Sequence, residues 1–132
     1  MGLLFRPLFR VRRVGPPPSL PARGGVLICP NHQSYLDPAL LQLVVGRRLT
    51  FVMTNDFYAV PAAAWFFRLV GALPVEQGAL ARGTLRRAAA LLRLGAAVVV
   101  FPEGRLSTDG GLHRAQRGVA TVARRGRAPV IP

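Results

Sequence analysis

His32 and Asp37 lie five residues apart in Asn31-His32-Gln33-Ser34-Tyr35-Leu36-Asp37, and Glu103, Gly104 and Arg105 stand together in Phe101-Pro102-Glu103-Gly104-Arg105-Leu106-Ser107. Imidazole takes up and returns a proton near neutral pH, its unperturbed pKa being about 6.5, so a histidine suits removal of a proton from an attacking hydroxyl. A carboxylate on its other ring nitrogen fixes the tautomer and stabilises the imidazolium, as in hydrolase triads. Asp37 is the natural candidate if the chain between the two closes into a turn. In the second segment arginine offers a fork of donors matching phosphate oxygens. Glycine lets a ligand approach the backbone, and Glu103 would accept hydrogen bonds from an acceptor's hydroxyls or hold Arg105 in place. Each segment also has a plainer reading. Asp followed by Pro is a common helix cap, which would leave His32 merely packed, and Pro-Glu-Gly is a turn. Either segment alone favours the plain reading, and their co-occurrence favours the chemical one.

The elements that must position these residues alternate along the chain. Val26 to Cys29 reads as a strand, Pro38 to Val45 as a short helix and Leu49 to Met53 as a strand. Pro61 to Val70 reads as a helix and Gly71 to Val75 as a short strand broken by Pro74. Leu80 to Leu94 has helical spacing of Leu85, Ala88, Ala89 and Leu92, and ends at Gly95, a natural C-cap. Ala96 to Phe101 is a continuous apolar run of the kind buried on both sheet faces. Leu112 to Arg125 reads as a last helix, and Pro129-Val130-Ile131 as the start of a strand. This pattern predicts an α/β fold, a layered mixed or largely parallel sheet flanked by helices. His32 then sits on a loop at the carboxyl end of a strand, where open α/β sheets bind ligands. A chain stopping at Pro132 on a bare apolar strand reads as truncated at its C-terminus.

Composition narrows the partners. The 132 residues fit one domain, and 51% hydrophobic content argues against disorder. All eighteen basic residues are arginine, against five acidic residues, for a net charge of +13. That excess suits a polyanion: nucleic acid, an anionic bilayer or phosphorylated substrates. A nucleic-acid-binding module is the least favoured of these, since no binding motif or cluster of stacking aromatics accompanies the charge. The single Cys29, in the apolar run Gly25 to Cys29, excludes an internal disulfide and reads as a small buried hydrophobe. No run approaches the roughly 18 apolar residues of a spanning helix. Residues 1–24 form a basic, Pro/Gly-rich segment whose stretch Leu3 to Arg13 is either an interfacial foot or a frayed basic tail. Residues 25–132 form the domain proper. Trp65-Phe66-Phe67 is a membrane-facing patch or a core face, His113 is solvated on the last helix, and Arg124-Arg125-Gly126-Arg127 is a solvated helix end.

Taken together, the two segments resemble the glycerolipid (lysophosphatidic acid and lysophospholipid) acyltransferases, a PlsC-like family. Asn31-His32 through Asp37 matches that family's H-x-x-x-x-D motif, and Phe101-Pro102-Glu103-Gly104 its F-P-E-G motif. Gly71-Ala72-Leu73-Pro74-Val75 looks like the intermediate block and Pro129-Val130-Ile131-Pro132 like the last one, so the similarity spans about residues 14 to 132. The resemblance implies a glycerol-3-phosphate acyltransferase-like fold, of which this chain is the front part. It implies His32 as base, Asp37 as its orienter, and Glu103, Gly104 and Arg105 at the acceptor phosphate. The implied reaction is O-acyl transfer from acyl-CoA or acyl-carrier protein to a lysophospholipid, 1-acylglycerol-3-phosphate foremost, in phospholipid biosynthesis. It implies no metal and no bound organic cofactor, and a peripheral place on the cytoplasmic face of the membrane. Two departures matter. Gln77 stands where the family carries a phosphate-gripping arginine, for which Arg82 is the available substitute. Arg105-Leu106-Ser107 replaces the usual Thr-Arg-Ser continuation, a variant similar to members acting on lysophosphatidylethanolamine. An inactive membrane-associated domain that retains the motifs is the remaining alternative.

Overall fold

The computed structural model describes residues 12, 14–15, 20–54, 73–75 and 79–132. Among them run strands β1 (Val26–Ile28), β2 (Leu49–Thr54), β3 (Leu73–Val75), β4 (Ala97–Val100) and β5 (Val130–Ile131), with helices α1 (Asp37–Val44), α2 (Ala79–Arg93) and α3 (Arg117–Gly126). The strands form one sheet in the order β3-β2-β4-β1-β5, and each pairing is parallel.

Side chains alternate across this sheet because successive residues of a strand point to opposite faces. Val26, Ile28, Leu49, Phe51, Met53, Ala97, Val99 and Phe101 share one face with Leu41 of α1 and the adjoining Val45. Leu27, Val52, Val98 and Val100 pack on the other against Ala88 and Leu92 of α2 and Val122 of α3. The result is three layers, with α1 on one side and α2 with α3 on the other. All four residues of β4 are buried, as expected of a central strand covered on both faces. Burying side chains such as Phe51, Leu49 and Leu92 contributes about 1.5–3 kcal/mol each, far more than exposed ion pairs do.

The C-cap of α2 falls at the expected glycine. Gly95 adopts φ +90°, its N–H donates to Leu92 O and the Ala96 N–H to Leu91 O, which is the Schellman arrangement. One helix starts later than its sequence predicts. In place of Leu112 to Arg125, α3 begins at Arg117. The backbone before it is committed elsewhere: the His113 N–H donates to the Glu103 carboxylate and the Gln116 N–H to Pro102 O. Those bonds outweigh local helix propensity.

Two arginines serve the scaffold rather than a partner. Arg47 donates to the carbonyls of Pro21, Gly24 and Gly95 at 2.6–2.9 Å, and Arg93 ties α2 to α3 through Arg125 O. No described helix is long and apolar enough to cross a membrane. The expected helix Pro61 to Val70, with Trp65-Phe66-Phe67, lies outside the described residues, as do Leu3 to Val11, Arg13 and Gln77.

The strand order places the site. From β1 the chain crosses to β2 on one side, and from β4 it crosses to β5 on the other. Because β1 and β4 are neighbours, their outgoing loops diverge and leave a crevice at the carboxyl edge of the sheet. That is the switch point at which open α/β sheets take their ligands. The two sequence segments are the loops that bound it.

Candidate active site

His32 follows β1 through Pro30 and Asn31 and is 6% exposed. Its ring stacks on Phe101 with centroids 4.0 Å apart. Its Nδ1 lies 2.9 Å from Asp37 Oδ2, and the same oxygen accepts the N–H groups of Gln33 at 2.8 Å and Ser34 at 2.9 Å. An ionised carboxylate only accepts, so His32 Nδ1 carries a proton and Nε2 keeps its lone pair. This is the tautomer a general base needs.

The capping alternative for Asp37 is resolved by the same bonds. Leu36 is the N-cap of α1 and no side chain caps that helix. The carboxylate turns back toward His32 and closes the loop on itself, supported by the Leu36 N–H bond to Ser34 Oγ. Asp37→Asn should lower kcat on the order of 10²–10⁴-fold, because an amide there no longer enforces the Nδ1–H tautomer or stabilises the imidazolium. Steady-state kinetics beside a thermal melt would check this, and unchanged turnover would remove Asp37 from the mechanism.

Past β4, Glu103 is also 6% exposed. Its Oε1 accepts the His32 N–H at 3.4 Å and its Oε2 the His113 N–H at 3.2 Å. The His32 carbonyl in turn accepts the Ser107 N–H at 2.8 Å. The peptide of His32 is thus held on both sides by the loop after β4. Glu103 faces backbone amides, and the ion pairs between described residues are His32–Asp37 and His113–Asp109, not Glu103–Arg105. Gly104 has φ +67°, and a Cβ there would collide with the Gln116 amide group. The glycine therefore serves a backbone conformation that side chains rarely adopt.

Arg105 is exposed, and its Nη2 lies 3.2 Å from His113 Nδ1. His113 Nε2 in turn lies 3.1 Å from Asp109 Oδ1. The Gly111 N–H, then the Ser107 hydroxyl, hold the Asp109 carboxyl below its ordinary range. The sequence reading places His113 on a solvated helix; the structure places it in a loop beside Arg105. Gly110-Gly111, separated from it only by Leu112, and Asp109 four residues earlier were the available signals of a turn.

His32, Phe101, Gly104, Arg105 and Leu106, with Val52 and Met53 of β2, line a cleft of about 70 Å³. His32 and Arg105 therefore line one small space together. Arg82, the proposed substitute for the arginine missing at Gln77, is exposed on α2 and does not line it. Cys29 is half-buried against the second core face, and burial pushes its thiol pKa up, the reverse of an activated nucleophile. No described serine or cysteine hydrogen-bonds the His32 ring.

A family model described as acyltransferase matches residues 12–132. The chain belongs to the acyltransferase family. Over 104 residues it is 33% identical to the chloroplastic 1-acyl-sn-glycerol-3-phosphate acyltransferase of Brassica napus, covering 77% of this chain and 30% of that protein. It is 34% identical to a chloroplastic counterpart from Arabidopsis thaliana, covering 77% of this chain and 29% of that protein. The 1-acyl-sn-glycerol-3-phosphate acyltransferase of Bacillus subtilis is 27% identical, with 86% and 57% covered. The crystal structure of the 1-acyl-sn-glycerophosphate acyltransferase PlsC from Thermotoga maritima superimposes with a TM-score of 0.68 at 26% identity. It covers 86% of this chain and 44% of that one. This acyltransferase-family chain spans about 30% of the length of the plant relatives it matches.

Proposed function

We propose that this chain moves a fatty acyl group from acyl-CoA or acyl-carrier protein to the free hydroxyl of a lysophospholipid, with 1-acylglycerol-3-phosphate as the acceptor. The observation that carries this reading is the shared cleft, lined by both His32, whose ring is oriented by Asp37, and Arg105, whose side chain matches phosphate. With the acceptor phosphate on Arg105, its hydroxyl lies against His32 Nε2. Nε2 takes the hydroxyl proton as the oxygen attacks the thioester carbonyl, and Asp37 stabilises the imidazolium that forms. The tetrahedral intermediate collapses, the C–S bond breaks, and the imidazolium returns the proton to the departing thiolate. One ester forms, one thioester is consumed, and no residue is acylated.

A panel of lysophospholipids offered with both donor types tests this reading. The expected result is preference for the phosphomonoester acceptor over the lysophosphatidylethanolamine type. The reverse preference would assign the chain to the second acceptor class, and no transfer to any acceptor would reject the enzymatic reading. Arg105→Ala should raise the acceptor KM about 10- to 100-fold, as expected for loss of a charge-assisted bond made equally in ground and transition states. Donor KM should move little. Equal damage to both constants would place Arg105 in donor binding or in the fold.

The place of action in this proposal is the cytoplasmic surface of a membrane, approached peripherally. Support comes from the +13 charge and from Tyr35 and Leu36, which stand exposed on the His32 loop itself. Flotation with anionic vesicles should carry the protein up, and high salt should release only part of it, since charge attraction and shallow apolar insertion act together. Indifference to both neutral and anionic vesicles would contradict a membrane-surface enzyme.

A further inference from the structure

We infer that His113 is a positioning residue that holds the Arg105 guanidinium at the cleft. This rests on the reading of Arg105 as the acceptor-phosphate ligand.

An exposed arginine has a long side chain with much rotamer freedom, and holding it in one geometry is entropically costly. Here that freedom is restrained by a chain of donors and acceptors. Arg105 Nη2 donates to His113 Nδ1 at 3.2 Å. For Nδ1 to accept, the ring proton must sit on Nε2, which donates to Asp109 Oδ1 at 3.1 Å. Asp109 Oδ1 is fixed in turn by the Gly111 N–H at 3.0 Å and lies 3.1 Å from the Ser107 hydroxyl. The backbone of His113 is pinned independently, through its N–H to Glu103 Oε2, while the other oxygen of that carboxylate holds the His32 N–H. One buried glutamate thus spaces the base from the brace of the phosphate ligand. The two histidines hold opposite tautomers: His32 is protonated on Nδ1, His113 on Nε2.

The Asp109 end is mostly exposed, its side chain being 65% accessible, so this pair adds little to global stability. Substituting His113 should therefore report on Arg105 and not on folding. In His113→Ala the acceptor KM should rise about 3- to 10-fold, the scale of one solvent-exposed hydrogen bond. Values of kcat, donor KM and melting temperature should stay near wild type. His113→Asn places an amide oxygen near the Nδ1 position and should restore the acceptor KM to within about twofold, whereas His113→Gln reaches toward Asp109 and should not. Adding His113→Ala to Arg105→Ala should change nothing further.

A second readout needs no substrate. NMR of the ¹⁵N-labelled guanidinium of Arg105 in the free protein should show an ordered side chain in wild type and His113→Asn, and a mobile one in His113→Ala. Equal mobility in wild type and His113→Ala overturns the inference, as do additive effects with Arg105→Ala or failure of the asparagine rescue. If His113→Ala frees the guanidinium while Arg105→Ala leaves the acceptor KM unchanged, the brace stands and the phosphate reading fails.

Discussion

His32→Ala is expected to lower kcat by about 10³-fold or more while the sheet stays folded. The two effects separate because His32 has two jobs carried by different atoms. Its peptide N–H and carbonyl bond to Glu103 and to the Ser107 N–H, and alanine keeps both. Its ring carries the Asp37 bond and the Nε2 proposed to take the proton, and alanine removes both. Loss of the stacking on Phe101 costs about 0.5–1.5 kcal/mol beyond lost burial, which a domain with ordinary stability survives. Circular dichroism with steady-state kinetics decides. Near-normal turnover in a folded variant would remove the base from the account.

Glu103→Ala should do the opposite and damage the fold first. Its carboxylate is buried and accepts two backbone N–H groups, those of His32 and His113. Removing it leaves both donors without a partner, at about 1–3 kcal/mol each. The expected loss of about 2–6 kcal/mol is a large share of the roughly 5–15 kcal/mol that holds a typical domain. Transfer should fall as well, because the loop carrying His32 loosens. Glu103→Gln retains one accepting oxygen and should lie between the two, as read by denaturant melts. If Glu103→Ala instead melts like wild type and raises only the acceptor KM, Glu103 contacts the acceptor hydroxyls, as its motif alone suggests.

The contrast between these residues shows what was legible before the fold was seen. The His32–Asp37 contact is local, since five residues across a strand-to-helix turn suffice to close it, so residue type and spacing were enough. The apolar run of β4 and the glycine that ends α2 were legible for the same reason: each is dictated by neighbours in sequence. The partners of Glu103 were not. Its bond to His32 joins residues 71 apart and exists only because β1 and β4 are adjacent strands. His113 was misplaced because the arginine-rich stretch after it has helical composition, while long-range bonds to Pro102 and Glu103 keep residues before Arg117 out of the helix. The scaffold bonds of Arg47 and Arg93 to the chain's own carbonyls were not legible either, since their partners lie 23 or more residues away.

The central claim is direct transfer: the acceptor hydroxyl, deprotonated at His32 Nε2, attacks the thioester with no acylated residue between. Simultaneous measurement of thiol release and ester formation tests it most directly. With acyl-CoA alone the chain should release no thiol. On addition of 1-acylglycerol-3-phosphate it should release one thiol per diacyl product, and both signals should vanish in His32→Ala. Thiol release without acceptor, with the acyl group found on the protein, or ester formation that persists in His32→Ala, would contradict the account.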